Sequence, residues 1–174
     1  MPAEQRFSRA RLHTPFGEIT VVASDAGVRY VMFENDAHPK SFANMVVVDD
    51  EKHHVVSSAV TQLHQYIAGD RTSFDIPLDL VGTDFQVQAW RALADIPFGT
   101  TVSYAQQAKS IGRPTATRAI GAANGRNPVV VLLPCHRVIG ADGSLTGFGG
   151  GLPVKKWLLQ HETDVLSRVS PSRA

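Results

Sequence analysis

The sequence predicts an α/β domain over residues 1–82 followed by a mainly α domain over residues 83–174. Three observations predict this. In the first half, Glu18 to Ser24 and Val28 to Glu34 are rich in Val, Ile and aromatic residues and are separated by Asp25-Ala26-Gly27, the pattern of a β-hairpin. In the second half, Thr83-Asp84-Phe85-Gln86 and Ser103-Tyr104-Ala105-Gln106 each fit a capping box, in which a hydroxyl and an amide close a helix N-terminus reciprocally. Charge divides along the same line: residues 1–83 hold 7 Lys/Arg against 11 Asp/Glu, and residues 84–162 hold 8 against 4. The basic half is the half suited to a polyanion.

The elements follow in order. After the hairpin, Val46-Val47-Val48 reads as a short strand. Val56, Val60, Leu63 and Ile67 recur at helical spacing, and Gly69 is placed to stop that helix. Asp75 to Leu80 contains a proline, so it reads as an edge strand or a linker. His53, His54 and His64 read as surface residues rather than metal ligands. Phe85, Ala89 and Leu93 give the next helix its apolar stripe, and Pro97-Phe98-Gly99 ends it. The helix opened at Ser103 runs to Ile111, Gly112-Arg113-Pro114 turns the chain, and a third helix spans 115–124, which makes a helix-turn-helix. Val129 to Leu133 reads as a strand and Asp142-Gly143 as a hairpin turn. Gly149-Gly150-Gly151 reads as a flexible loop. Pro153 opens the last helix, with Val154, Trp157, Leu158 and His161 on one face. The final dozen residues read as frayed.

The third helix has two faces. Ala116, Ala119, Ile120 and Ala123 form a core face. Arg118, Gly121, Ala122 and Gly125 form an outer face that is nearly flat, with one long cation on it. Two glycines cost a helix roughly 1 kcal/mol each relative to alanine. Close approach of another helix or of a nucleic acid backbone would offset that.

The chain has one cysteine, in Pro134-Cys135-His136-Arg137-Val138. A single thiol forms no internal disulfide and no multi-cysteine zinc site. Beside an imidazole it is a candidate nucleophile, because a neighbouring base raises the thiolate fraction. On a strand, Cys135 and His136 would point to opposite faces, so the base must act through a bend after Pro134 or through a water. A carboxylate would fix the imidazole tautomer, and Glu162 is the candidate. Tyr104 and Asn127 are candidate polar supports. The alternative is a buried structural thiol. No apolar stretch approaches the ~20 residues of a membrane span. The N-terminus lacks the apolar core of a signal peptide, so a reducing, cytoplasmic location is expected.

These residues resemble the O(6)-alkylguanine-DNA alkyltransferase family. The resemblance rests on Pro134 to Val138 and on four further blocks in the family's order. They are Ile96-Pro97-Phe98-Gly99 with Val102-Ser103-Tyr104, Arg118-Ala119-Ile120-Gly121, Gly125-Arg126-Asn127-Pro128, and Trp157 to Glu162. It implies an N-terminal ribonuclease-H-like α/β domain and a C-terminal winged-helix-like domain. It implies single-turnover transfer of an alkyl group from O6 of guanine, and from O4 of thymine, to Cys135. His136 would activate the thiol through a water, and Glu162 would orient His136. Tyr104 would donate a proton to the leaving guanine. Asn127 would shape the turn between recognition helix and active site. Arg118 would fill the gap left by a base flipped through the minor groove. The expected DNA-contacting set is Tyr104, Arg113, Arg118, Gly121 and Ala122. The carbonyls of Cys135 and Val138 would read the base, with Phe148 and Gly149 lining its pocket. The implied partner is double-stranded DNA carrying alkylated guanine, met by a monomer without cofactor, metal or membrane.

The sequence departs from the family pattern in places. Phe148 stands where tyrosine is frequent, and Thr163 where glycine is. The first half has no cysteines to hold the zinc some members carry, and the transcriptional activation of the family's regulator members is not expected. Two other readings stay open at this level: a cysteine hydrolase using Cys135, His136 and Glu162, and a winged-helix protein that binds lesions without reacting.

Overall fold

Four strands and one helix build the first unit of the computed structural model, which describes residues 4–169. The strands are β1 (Gln5–Thr14), β2 (Gly17–Ser24), β3 (Gly27–Phe33) and β4 (Met45–Asp49), in the order β3-β2-β1-β4. β1 pairs antiparallel with β2 and parallel with β4. The expected hairpin is β2–β3. Its Gly27 is required by close approach: a Cβ there would lie 2.6 Å from the Pro77 carbonyl oxygen. The segment around Pro77 pairs with β3 only at the bridge Val28–Leu78, beside the Arg29–Asp79 ion pair, so it is a linker rather than an edge strand. Helix α1 (His54–Ala68) packs against β1, β2 and β3 and ends on Gly69 in the left-handed conformation, as its spacing predicts. Val56, Ala59, Leu63 and Tyr66 of α1 are buried, as are Ile19, Val21 and Val31 of the sheet.

β1 is absent from the sequence-based prediction. Phe7, Ala10 and Leu12 are buried, but Arg6 before them and Arg9 and Arg11 between them disguise the strand as a polar terminus.

The second unit comprises Gly82–Asn127 and Leu133–Ala174, while Pro128–Leu132 joins the first. Helix α2 (Asp84–Leu93) starts at the Thr83–Gln86 capping box, and α3 (Tyr104–Ser110) at the Ser103–Gln106 box, both as predicted. Helix α4 (Thr117–Gly125) completes the helix-turn-helix around Ala89, Ala108, Ile120 and Ala123. Gln107 and Asn124 bond each other reciprocally at 3.1 and 2.7 Å, and Trp90 Nε1 donates to Ala123 O at 2.7 Å. These buried polar contacts fix the register of α3 and α2 on α4. Asn124, not Ala119, completes the core face of α4; Ala119 is exposed and extends the outer face.

Several expectations after α4 are corrected. Val129 to Leu133 forms no strand: Val129 makes a single bridge to Val31, and the chain then turns sharply. Leu132 N donates to Val130 O at 2.8 Å around Val131, whose φ is +70°. That is a strained γ-turn at a β-branched residue. Cys135 N then donates to Leu133 O at 2.9 Å around Pro134. Asp142-Gly143 makes a turn closed by Gly143 N to Gly140 O at 2.9 Å, but no second strand follows it. Instead β6 (Val138–Ile139) pairs parallel with β5 (Val102–Ser103). The last helix, α5 (Leu152–Val169), runs through most of the stretch expected to fray, held by buried Val165. Its buried stripe is Lys155, Leu158, Glu162 and Val165; of the face read from sequence only Leu158 is buried, while Val154, Trp157 and His161 are half-buried.

Candidate active site

Cys135 opens a 3-10 turn, Cys135–Arg137, in place of the predicted strand end. Pro134 sets the bend that the thiol and imidazole require, and Asn127 secures it by donating from Nδ2 to Leu133 O at 2.7 Å. Cys135 is buried, with 5% of its surface exposed. His136, next along the turn, is fully buried, as is Glu162 on α5.

The charges of this turn are paired closely. Glu162 Oε1 lies 2.8 Å from His136 Nε2. Arg137 Nε donates to both carboxylate oxygens at 3.1 and 3.0 Å, and its Nη2 donates to Oε1 at 2.8 Å. Gly99 N donates to Oε2 at 2.9 Å, and Arg137 Nη1 to Ile96 O at 2.7 Å. Burial pushes the carboxyl of Glu162 up, but the bonds from His136 and Arg137 outweigh it and hold its pKa down to about 2. Burial also holds His136 below the ordinary imidazole value, against the pull of Glu162. A neutral imidazole beside a carboxylate keeps its proton on Nε2. Nδ1 then carries the lone pair, and it is buried with no hydrogen-bond partner among the described residues. The arrangement can accept a proton at one defined atom.

Around this centre, Tyr104 donates its hydroxyl to Thr146 O at 3.0 Å, and Gly121 of α4 faces the Tyr104 ring. Arg118, Ala122 and Arg113 are exposed, so the outer face of α4 is open. Val138 is buried, and its carbonyl accepts from Lys155 Nζ at 2.6 Å. Phe148 and Gly149 are half-buried in the 140–151 loop. Sequence reasoning missed the role of Arg137, although it lies inside the Pro134–Val138 motif, and missed Lys155 altogether. A lysine on a buried stripe leaves no trace in apolar periodicity.

Among the described residues, one cluster away from this centre brings possible ion ligands together. Asp25, His53 and His54 of the first unit bring ligand atoms within 4.8 Å of one another. The hydrogen bond between His53 Nε2 and Asp25 Oδ1, 2.8 Å, accounts for that approach. His53 Nδ1 has no partner among the described residues, whereas a metal-bound histidine almost always donates its other nitrogen to one.

A family model described as the 6-O-methylguanine DNA methyltransferase DNA-binding domain matches residues 84–164, and one for the ribonuclease-like domain of the same family matches residues 9–80. The chain belongs to the 6-O-methylguanine DNA methyltransferase family. Within that family it is 42% identical over 153 residues to a methylated-DNA–protein-cysteine methyltransferase of Methanosarcina acetivorans, covering 88% of this chain and 96% of the relative. It is 57% identical over 106 residues to the protein of that name from Mycobacterium bovis. That match takes in 61% of this chain and spans 64% of the relative's length. Among family structures, it is similar to Mycobacterium tuberculosis OGT crystallised in complex with DNA, with a TM-score of 0.84 and 40% identity over 91% of this chain and 94% of that one. The family thus has the two-domain architecture the sequence predicts, a ribonuclease-like sheet domain and a helical DNA-binding domain. Among the described residues no helix is long and apolar enough to cross a membrane.

Proposed function

We propose that this protein repairs DNA by taking an alkyl group from O6 of guanine, or O4 of thymine, onto Cys135, once per molecule. The observation that carries the reading is the unpaired Nδ1 of a neutral, carboxylate-bound His136 one residue from the only thiol.

His136 Nδ1 takes the thiol proton through a water. The thiolate attacks the alkyl carbon in line with O6, so a C–S bond forms as the C–O bond breaks. The electron pair passes to the guanine, which takes a proton from the Tyr104 hydroxyl and leaves as the normal base. The thioether has no good leaving group, so the protein is spent.

In-line attack leaves no room for a stacked base, so the target nucleotide is extruded, at a cost of a few kcal/mol. The open face of Arg118, Gly121 and Ala122 enters the minor groove, with Arg118 in the place the base vacates and Arg113 on the backbone. The carbonyls of Cys135 and Val138 receive the exocyclic amine, and Phe148 and Gly149 line the pocket. Contacts mainly to the backbone make binding nearly independent of sequence. Asn127 holds the turn, and no cofactor or metal takes part. A monomer in a reducing cytoplasm suits a thiol that must stay free.

The test is a count. With excess duplex carrying labelled O6-methylguanine, label transfer should stop at one methyl per protein. Continued release of product beyond one equivalent would indicate a hydrolase and defeat this reading.

A further inference from the structure

Lys155 is a fully buried lysine that the proposed reaction leaves unused. Its Nζ donates to the carbonyl of Val138 at 2.6 Å and to that of Thr146 at 3.1 Å. Val138 N–H in turn donates to Cys135 O, so the ammonium is fastened to the end of the turn that begins at the thiol. The Tyr104 hydroxyl donates to the same Thr146 carbonyl, and the ammonium lies 5.9 Å from the Tyr104 ring centroid. One cation therefore joins the nucleophile's turn, the 140–151 loop and the phenol.

Both hydrogen-bond acceptors are neutral carbonyls. Burying an ammonium without a paired anion is costly; the next stripe position on α5 is filled by Leu158, and Glu162 beyond it is committed to His136 and Arg137. An apolar side chain would fill the space without that cost. The other charged or titratable groups facing this centre are His136 and Arg137 from the turn, Glu162 from α5 and Tyr104 from α3. Arg137 and Glu162 are paired with each other, and His136 is held neutral, which leaves the Lys155 charge uncompensated. Burial pulls the proton affinity of Lys155 below its ordinary value, and Cys135 is the group that pushes it back up.

We propose that Lys155 is a positioning residue for the alkyl acceptor: it locks the Cys135 turn to the 140–151 loop and presents a positive charge that favours the thiolate. The proposal rests on the alkyl-transfer reading for its purpose, and its test does not use DNA.

Cys135 is the only cysteine, so the rate of iodoacetamide alkylation against pH reports its ionisation directly. In Lys155→Met and Lys155→Gln the midpoint of that profile should move to higher pH. At pH below the midpoint the rate should fall about tenfold for each unit of displacement, with the alkaline plateau retained. An unmoved midpoint in either folded variant overturns the proposal. Should both variants fail to fold, the wild-type protein supplies the reciprocal measurement. Nitrogen NMR of the Lys155 ammonium is followed through pH before and after Cys135 is capped with methyl. Capping removes the anion, so Lys155 should lose its proton at lower pH; a titration unchanged by capping overturns the proposal. A wild-type protein that takes no methyl from DNA while showing these shifts would defeat the repair reading and leave the Lys155 role standing.

Discussion

The two units bury charge to different degrees. In the first, the buried polar side chains among the described residues are two serines, Ser8 and Ser24; the ion pairs Arg9–Asp49 and His53–Asp25 each keep one member in solvent, and the Arg29–Asp79 pair is enclosed only in part, at 13% and 19% exposure. The second buries His136, Arg137, Lys155 and Glu162 together. Desolvating such groups opposes folding, and their mutual attraction only partly returns it. The first unit is thus built for stability by apolar packing under a sheet. The second accepts a costly interior where, on the proposed reaction, a thiol must be ionised and an imidazole kept neutral.

The sharpest way to break this comparison is to remove Glu162. Glu162→Ala leaves buried Arg137 without its anion and His136 without its acceptor, so urea melts should show a loss of about 3–5 kcal/mol. Asp49→Ala, removing an exposed partner of Arg9, should leave the midpoint within error. Equal losses would erase the contrast. The acid limb carries the same signature. The folded pKa of Glu162 lies below its ordinary 4.5, so its stabilisation is complete above 4.5 and fades as pH falls toward about 2. His136 is likewise depressed, so its contribution begins to fade as pH falls below its ordinary 6.5. Glu162→Gln should flatten the lower part of that limb in a melting-temperature series.

A smaller effect sharpens the functional side. Arg118 is exposed on α4 and belongs to no buried network, so Arg118→Ala should leave stability unchanged. It should slow repair of duplex DNA by about tenfold or more, the loss of one good contact in the flipped state, while reaction with free O6-methylguanine base keeps its rate. Equal slowing on both substrates would remove Arg118 from the flipping step.

What the sequence made legible was local. The capping boxes at Thr83 and Ser103, the Gly69 stop and the β2–β3 turn are settled by residues within a few positions of one another, and each stands as read. β1 was hidden although its partner β2 follows directly after a tight turn: three arginines break its apolar signal, and its other partner, β4, lies about forty residues on. Val129 to Leu133 misled because an apolar run looks alike whether it is a strand or a buried turn, and the Val131 turn depends on bonds such as Asn127 to Leu133. On α5 the apolar pattern pointed to Val154, Trp157, Leu158 and His161. The buried stripe instead carries a lysine and a glutamate, which hydrophobic periodicity counts as solvent-facing. Cys135, His136 and Glu162 were legible from chemistry and family resemblance. The forked grip of Arg137 and the backbone N–H of Gly99 on Glu162 emerge only when the helix end and the turn meet.

The most direct test of the account is where the alkyl group goes. After one equivalent of O6-methylguanine duplex, peptide mass mapping should find a methyl thioether on Cys135 and no other modified residue. An unmodified Cys135 from protein that has restored the guanine would contradict the account at its centre.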